Sequence, residues 1–272
     1  MLECPPPPDW SAVAGAEPSA IASRLSFPVR VRETGPDGRM GLHALADLCQ
    51  EAGAVNATRF GQGLEDTMAR GVVWVLNRAR FAVHRHPRFG ETVTVETWPC
   101  GLERRGALRV YRISVEGVGV VAAVATVWSL FDLAKRRPMA RPETVLHTLP
   151  EPGPRLLPTP AMLPAEAEAD GGAGADGPAA VYPVHPAQID VYGHVNHTHL
   201  IAWSLGETGA VVPGPFCPRE FLIGFRGECR PGDRVAVRRA AGAGGLVRTS
   251  LATEADGREI VRAAAWYGEV PG

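Results

Sequence analysis

The chain has 272 residues, of which 45% are hydrophobic and 21% are charged, as is usual for a globular protein. A formal net charge of −1 leaves no basic surplus to neutralise a phosphate backbone, so the composition argues against nucleic-acid binding. No apolar run reaches the roughly 18–20 residues that a membrane-spanning helix needs, and we expect no membrane association.

The cysteines indicate the compartment. Five of them are scattered along the chain, an odd number that suits a reducing cytosol better than a disulfide framework. None of them has CxxC spacing, and His185, His197 and His199 form no convincing ligand set with His194, so we expect neither a metal nor another cofactor. These three histidines are expected to be solvated or to act as caps. The N-terminus has no cationic stretch followed by an apolar core, which argues against a secretory signal. The sequence therefore predicts a cytoplasmic protein.

Two segments are poor in residues that build a core. Residues 1–24 are rich in proline and alanine, and we expect a poorly ordered leader. Residues 151–180 are rich in glycine, proline and alanine and read as a linker. Its GxGxxG pattern at 172–177 is discounted, because no predicted strand precedes it. The domains are then 25–150 and 181–270.

The two domains repeat the same order of elements. Each opens with a short extended run, at 27–32 and at 180–185, and continues into one apolar helix. The first helix has apolar residues at helical spacing from Leu42 to Ala52, and the second runs from Leu200 to about Val211. Several strands follow each helix. Five tryptophans in these elements are expected to pack the sheet against the helices: Trp74, Trp98, Trp128, Trp203 and Trp266.

Matching landmarks appear among the strands too. Arg88–Val95 parallels Arg230–Val237, each a turn entering an alternating strand, and Ala125–Trp128 parallels Ala263–Trp266. Landmarks in the same order indicate an internal duplication. The sequence predicts an α+β fold in which each half wraps a long antiparallel sheet around one central helix.

Four polar residues cluster just before the second helix: Asp190, Tyr192, His194 and Asn196. Gly193 among them would let the backbone turn sharply and approach a substrate carbonyl. A carboxylate there would cap free N–H groups, and the same N–H groups and helix dipole would stabilise an oxyanion. Each residue alone is explained by a turn or a cap. The set, with a second carboxylate at Glu228, favours a catalytic site. Aligning the halves on Glu51 and Glu207 puts Thr34 and Gly38 opposite Asp190 and His194, so the first half lacks the acid–base groups.

The whole chain, over about 26–268, resembles the acyl-acyl carrier protein thioesterases of the plant and bacterial fatty-acid type. Motifs carry this resemblance in order through both halves: Val29–Gly35, Leu48–Ala52, Trp74–Arg78, Pro87–Trp98, Trp128–Pro138, Asp190–Asn196 and Phe225–Cys229. The resemblance implies two tandem hot-dog domains. It implies that the first domain binds the acyl chain and that the second hydrolyses a fatty acyl thioester.

The resemblance also assigns residues. Asp190, His194 and Glu228 match the family's catalytic aspartate, histidine and glutamate, and Cys229 matches a cysteine once proposed as a nucleophile. Tyr192 stands where the family has asparagine. Tyr192, Gly193, Asn196 and Cys229 are therefore candidates for further catalytic or substrate-positioning roles.

Two mechanisms remain open at this point. Either Asp190 acts as general base or nucleophile, with His194 orienting partner groups and Glu228 positioning water, or Cys229 attacks after activation by His194. The first is favoured, because the charge of Glu228 would disfavour a neighbouring thiolate. No GxSxG motif is present, which argues against a serine hydrolase.

The expected partner is an acyl carrier protein thioester. A coenzyme A thioester, including an aromatic one, and a catalytically silent acyl-binding protein are the alternatives. Hot-dog domains pair, and a tandem satisfies this pairing within one chain. Both a monomer and a homodimer of tandems are therefore compatible with the sequence.

Overall fold

The computed structural model describes residues 2–103, 106–146, 150–164, 180–206 and 216–268. The first half contains helices α1 (Trp10–Gly15), α2 (Leu42–Thr58) and α3 (Leu64–Ala69) and strands β1 (Ser23–Pro28), β2 (Val72–Val83), β3 (Thr92–Glu103), β4 (Gly106–Val115), β5 (Gly119–Asp132) and β6 (Arg137–Pro138). The second half contains helix α4 (His197–Gly206) and strands β7 (Ala180–Pro183), β8 (Glu220–Phe225), β9 (Arg234–Ala241), β10 (Leu246–Thr253) and β11 (Glu259–Trp266).

The strands form one antiparallel sheet in which the two halves mirror each other. The order is β1-β3-β4-β5-β2-β8-β11-β10-β9-β7, with the short β6 on β5. Read from the outside inwards, each half has the same sequence of strands, and the halves meet where β2 pairs with β8, with Phe81 opposite Phe221. This topology confirms the α+β fold of two tandem hot-dog domains.

Helices α2 and α4 lie on the inner face of the sheet and pack against each other. The predicted apolar positions of α2 are buried, from Leu42 through Leu45 and Cys49 to Ala52. In α4, Leu200 is buried in the same core as the inward-facing residues of both sheet halves. The predicted end of this helix, at 211–215, lies outside the described residues. Across the described part of the chain, no helix is long and apolar enough to cross a membrane.

The leader covers the outer face of the sheet, contrary to the weak order expected for residues 1–24. Asp9 caps α1 by accepting from the backbone N–H groups of Ser11 and Ala12. Val13 packs in an outer cluster with Trp98. The Arg112 guanidinium donates to three carbonyls of the leader, those of Val13, Ala14 and Ala16. Few apolar residues suffice here, because the sheet supplies the other side of the contact.

The first part of the predicted linker lies on the same outer face. Leu156 and Leu157 are buried in the outer cluster, and the indole N–H of Trp98 donates to the Pro154 carbonyl. Further along, Leu163 packs against Trp266. Trp98 and Trp266 therefore face away from the central helices, and the expectation for these two tryptophans is wrong. Residues 165–179, which include the GxGxxG pattern, lie outside the described residues.

A buried ion pair crosses the junction of the halves on this outer face. The Arg80 Nε of β2 donates to Glu220 Oε1 of β8 at 2.7 Å, and the two side chains are 6% and 5% exposed. Arg80 Nη2 also donates to the Pro6 carbonyl at 2.8 Å, which fixes the leader to the same point. Burial raises the pKa of Glu220 to about 7, although Arg80 opposes this rise.

We predict that Arg80→Met lowers the free energy of unfolding by about 3–5 kcal/mol at pH 8, because it leaves Glu220 buried without its partner. The double variant Arg80→Met/Glu220→Leu recovers most of this loss. Urea denaturation measures both. The exposed pair Arg234–Glu254 is the control, and Arg234→Met there costs less than about 1 kcal/mol. Equal losses of unfolding free energy in Arg80→Met and Arg234→Met would contradict the prediction.

Candidate functional site

The predicted polar stretch forms a tight hairpin at the entrance to α4. A bridge between Ile189 and Val195 closes it, and the Asp190 N–H donates to the His194 carbonyl at 2.9 Å. Gly193 has φ of 77°, a left-handed conformation that strongly favours glycine. The role predicted for Gly193, a sharp backbone turn beside the site, therefore has a direct structural cause.

Asp190 uses one carboxylate oxygen inside the hairpin. Its Oδ1 accepts from the Tyr192 N–H at 2.9 Å. Its Oδ2 has no hydrogen-bond partner among the residues that the structure describes. The side chain lines a cleft of about 520 Å³ between the two halves. The local turn thus fixes the carboxylate and leaves one oxygen available to a bound molecule.

His194 and Glu228 are brought together from separate parts of the chain. His194 Nε2 lies 3.1 Å from Glu228 Oε2, and both side chains are partly exposed. Arg230 Nη2 contacts the same carboxylate oxygen at 3.2 Å. The Val195 N–H donates to the carbonyl of Cys229, which holds the hairpin against the segment carrying Glu228. The pairing of these two predicted residues gives the imidazole a fixed orientation.

Asn196 links the hairpin to both helices. Its Oδ1 accepts from the backbone N–H and the hydroxyl of Thr198, each at 3.0 Å, and so caps α4. Its Nδ2 donates to Gln50 Oε1 of α2 at 3.0 Å. Asn196 therefore holds the helix start and ties it to the first half.

Cys229 is buried in the core and is 1% exposed. Burial and, to a smaller extent, the charge of Asp233 raise the pKa of its thiol to about 12. The sulfur is therefore protonated at neutral pH and is a poor nucleophile. This environment favours the mechanism based on carboxylates over attack by Cys229.

Tyr192 stands at the tip of the hairpin, with 38% of its surface exposed. Burial of the ring raises the pKa of the phenol, and the charge of Asp190 acts in the same direction. The phenol is therefore a hydrogen-bond donor at neutral pH. Tyr192 is not among the residues that line the cleft. Its role in place of the family's asparagine stays a prediction.

The first half contains the same hairpin without the chemistry. Thr34 and Met40 form its closing bridge, and the Gly35 N–H donates to the Arg39 carbonyl at 2.9 Å. Gly38 has φ of 73°, as Gly193 has in the second hairpin. The hydrogen-bond pattern shows which positions correspond.

The counterparts of Asp190 and His194 are Gly35 and Arg39, one position later than the sequence alignment placed them. The expectation that the first half lacks the acid–base set holds with these corrected partners.

The counterpart of Glu228 is the buried His86. Met40 N–H donates to the Pro87 carbonyl as Val195 N–H donates to the residue after Glu228. His86 Nδ1 and Nε2 lie 3.0 and 2.9 Å from the carbonyl oxygens of Met40 and Pro218. Glu228 is partly exposed in the second half. Its counterpart in the first half, His86, is buried and contacts both halves of the chain.

The cleft beside Asp190 also contains residues that the sequence did not single out. Both halves contribute to its lining: Arg32, Glu33, His43, Ala44, Asp47, Ala187, Gln188, Ile189, Asp190, Asn196, Thr198, His199 and Ala202. His43 and Asp47 lie one turn apart on α2, whose buried positions are apolar except for Asn56. Two polar residues in a mostly apolar helix were the sequence signal from which this side of the cleft could have been predicted.

His197, the first residue of α4, is enclosed by aromatic side chains. Its ring meets Trp128 and Phe225 edge-to-face, with centroids 6.3 and 6.0 Å away. Burial lowers the pKa of His197 to about 4. The solvated or capping role expected for this histidine is therefore wrong, whereas His185 does cap a turn through its Nδ1.

A sheet of two mirrored halves, two helices on its inner face and one polar hairpin define a tandem hot-dog protein with one candidate site. Residues 22–149 match the family model of the acyl-ACP thioesterase N-terminal domain. The first half of the chain therefore matches the acyl-acyl carrier protein thioesterase family.

Similar sequences are plant proteins. One is a chloroplastic acyl-[acyl-carrier-protein] hydrolase of Cuphea viscosissima, 26% identical over 77% of this chain and 52% of that protein. Another is a chloroplastic dodecanoyl-[acyl-carrier-protein] hydrolase of Umbellularia californica, 26% identical over 89% of this chain and 66% of that protein. The chain thus spans about half to two thirds of the length of these two relatives.

Solved structures share the fold over nearly their whole length. An acyl-ACP thioesterase from Bacteroides thetaiotaomicron has a TM-score of 0.74 at 17% identity, covering 91% of this chain and 98% of its own. The 12:0-ACP thioesterase from Umbellularia californica has a TM-score of 0.72 at 21% identity, covering 91% and 97%. These similarities establish the tandem architecture.

We predict that His197→Gln makes stability less dependent on pH between about 6.5 and 4. A histidine whose folded pKa is lowered takes up its proton first in the unfolded state, so its contribution to stability falls as pH falls. The difference in slope is at most about 1.4 kcal/mol per pH unit. Urea denaturation of both proteins across this range measures it. Parallel stability curves would show that His197 does not titrate differently on folding.

A second prediction separates the two contacts of Asn196. Asn196→Ala removes the cap and the bond to Gln50 and lowers the free energy of unfolding by about 1–2 kcal/mol. Asn196→Asp keeps the acceptor for Thr198 and loses only the donor to Gln50, so it costs less. Thermal and urea unfolding compare the two. Equal losses would mean that the cap contributes nothing.

Proposed function

We propose that this chain hydrolyses fatty acyl thioesters to free fatty acids, with acyl carrier protein thioesters as its substrates. The observation that carries the proposal is one juxtaposition. The Asp190 carboxylate lines a cleft and has one oxygen without a partner among the described residues. His194 lies on the same hairpin and pairs with Glu228 of the neighbouring segment.

The chemistry needs no group beyond these side chains and water. As general base, Asp190 takes a proton from water while the oxygen adds to the thioester carbonyl. As nucleophile, it forms an acyl anhydride, which water then hydrolyses to regenerate the carboxylate. In both routes the carbon–sulfur bond breaks, and the thiolate takes up the proton that the attacking water gives up. His194, held by Glu228, orients the reacting groups, and the positive end of the α4 dipole stabilises the oxyanion.

The carrier protein as partner is supported by the relatives, which are named as hydrolases of acyl carrier proteins. A coenzyme A thioester presents the same reacting group and remains the alternative substrate. A role of the first half in acyl-chain binding is supported by Gly35 and Arg39, which stand in its hairpin where the second half has Asp190 and His194, and by the large apolar core around α2. A cytoplasmic location is supported by the cysteines, all five of which are free. One chain already supplies the paired domains, so we propose a monomer or a homodimer of tandems.

Asp190→Asn should lower kcat by about 10²- to 10⁴-fold on acyl carrier protein thioesters, because the amide neither accepts a proton nor attacks carbon. Glu228→Gln should cause a smaller loss by releasing His194. Cys229→Ala is the control for the alternative mechanism and should keep its activity. Release of free thiol from thioesters of the carrier protein and of coenzyme A, over several chain lengths, measures all four proteins.

Three results would change the conclusion. Full activity of Asp190→Asn would remove the proposed mechanism, and loss of activity in Cys229→Ala would restore the cysteine mechanism. A wild type that hydrolyses none of the thioesters would indicate a silent acyl-binding protein.

A further inference from the structure

Two arginines contact Glu228, each at a different group. Arg230 Nη2 lies 3.2 Å from Oε2 of the carboxylate, the same oxygen that His194 Nε2 contacts at 3.1 Å. Arg258 Nη1 donates to the main-chain carbonyl of Glu228 at 3.0 Å. The partner of His194 is therefore held at its side chain by one arginine and at its backbone by another.

The turn before β9 determines where Arg230 stands. The Arg230 N–H donates to Asp233 Oδ2 at 2.9 Å, and the Asp233 N–H donates to the Arg230 carbonyl at 3.1 Å. The first half has the same turn before β3, where the Arg88 N–H donates to Glu91 Oε2 at 2.8 Å and the Glu91 N–H donates to the Arg88 carbonyl at 3.1 Å. An arginine thus stands at this point in both halves. In the second half the residue two positions before it is the carboxylate Glu228.

The approach of Arg258 depends on a glycine beside it. Directly after β8, the N–H groups of Arg226 and Gly227 both donate to the Ile260 carbonyl, at 2.8 and 3.3 Å, which is a β-bulge. A Cβ added at Gly227 would lie 2.9 Å from Arg258 Nη1 and 2.9 Å from the backbone oxygen of Glu259. A side chain at position 227 would therefore displace the guanidinium.

The first half has the same bulge with a different arginine. The N–H groups of His84 and Arg85 both donate to the Val121 carbonyl, at 2.8 and 3.1 Å, so Arg85 corresponds to Gly227. The Arg85 guanidinium donates to Glu91 Oε2 at 2.9 Å and so stabilises the turn before β3. In the second half the bulge has no side chain at this point, and an arginine from the turn between β10 and β11 approaches instead.

That turn fixes the backbone of Arg258. The Arg258 N–H lies 3.1 Å from both Thr253 Oγ1 and Asp256 Oδ1, and the Thr253 N–H donates to the Arg258 carbonyl at 3.0 Å. Asp256 Oδ2 lies 3.9 Å from Nε of the same arginine. The guanidinium therefore extends from an ordered turn, which lowers the entropy lost when it binds the Glu228 carbonyl.

We propose that Arg230 and Arg258 form an arginine clamp, two positioning residues that hold the Glu228 carboxylate against His194. An ionised carboxylate only accepts hydrogen bonds, so the ring nitrogen that faces it, Nε2 of His194, carries a proton. The clamp thereby fixes both the orientation of the ring and the nitrogen that bears the proton. The arginines act through the glutamate and do not contact the substrate. This inference rests on the proposed hydrolase function, in which the Glu228–His194 pair takes part.

Steady-state kinetics on a carrier protein thioester and on a coenzyme A thioester of the same acyl group test the clamp. Arg230→Met and Arg258→Met should each lower kcat by roughly 2- to 10-fold, as expected for one hydrogen bond to a partly exposed group, and change KM by less than about 2-fold. Arg230→Lys keeps a cation and should recover part of the loss. Arg234→Met is the matched control and should keep its kcat, because Arg234 is 55% exposed, Arg230 is 54% exposed, and Arg234 pairs with Glu254 instead.

A double-mutant cycle shows whether the arginines act through the glutamate. In a Glu228→Gln background, Arg230→Met and Arg258→Met should each lower kcat by less than about 2-fold further, because the charged partner of His194 is already gone. Losses that are fully additive would overturn the clamp. A rise in KM confined to the carrier protein thioester, with kcat unchanged, would also overturn it and would indicate that these arginines bind the carrier's surface.

The ring nitrogens of His194 report the clamp without turnover. In ¹⁵N-labelled protein at about pH 8.5, above the range in which an unperturbed imidazole titrates, His194 should be the Nε2–H tautomer. The His194→Asn protein assigns its signals. Arg230→Met and Arg258→Met should each give a mixture of both tautomers, which would support the clamp even if no thioester is hydrolysed. Unchanged ring signals in both variants would overturn the clamp and leave the hydrolysis assay to decide the function.

Discussion

The antiparallel pairing of β2 with β8 is the interaction on which the rest of the structure depends. It joins two half-sheets into one, and it thereby places α2 and α4 side by side on the same face. Local contacts then fix how the halves meet. The Leu42 N–H at the start of α2 donates to the Phe216 carbonyl, and Asn196 reaches Gln50. The cleft exists at this junction because both halves contribute to its lining.

The duplication was followed by divergence at matching positions. The second half has Asp190, His194 and Glu228, where the first has Gly35, Arg39 and His86. The first hairpin has the same shape without those side chains, since the turn depends on backbone hydrogen bonds and a glycine with positive φ. His86, at the position that corresponds to Glu228, has a structural role. It contacts a carbonyl on each half and is fully enclosed.

The sequence predicted the features that depend on neighbouring residues. Helix α2, the turns before β3 and β9, and the set of polar residues before α4 all follow from local spacing. The one-position error in aligning the hairpins arose because Glu51 was matched to Glu207, whereas the spacing that relates the two hairpins sets Glu51 against Gly206. The outer covering was missed for another reason. Val13 and Leu157 lie in segments that contain few apolar residues. They become part of a core only through their contacts with the sheet beneath them.

The cleft was missed because its two histidines come from different halves of the chain. His43 reads as a polar interruption of one helix and His199 as a polar residue near the start of another. Their relation appears only when β2 meets β8, and no single-segment pattern contains it. Asp190 differs, because its neighbours in sequence are also its neighbours in space.

The replacement of the family's asparagine by Tyr192 is compatible with an intact site for a structural reason. The hairpin uses only the backbone N–H of this residue, which donates to Asp190 Oδ1. Every residue except proline supplies that N–H, so the turn does not constrain the side chain at 192. The carboxylate therefore keeps its position and its free oxygen, whatever side chain stands there. A change at this position acts on what the hairpin presents to a substrate, and leaves the placement of Asp190 unaltered.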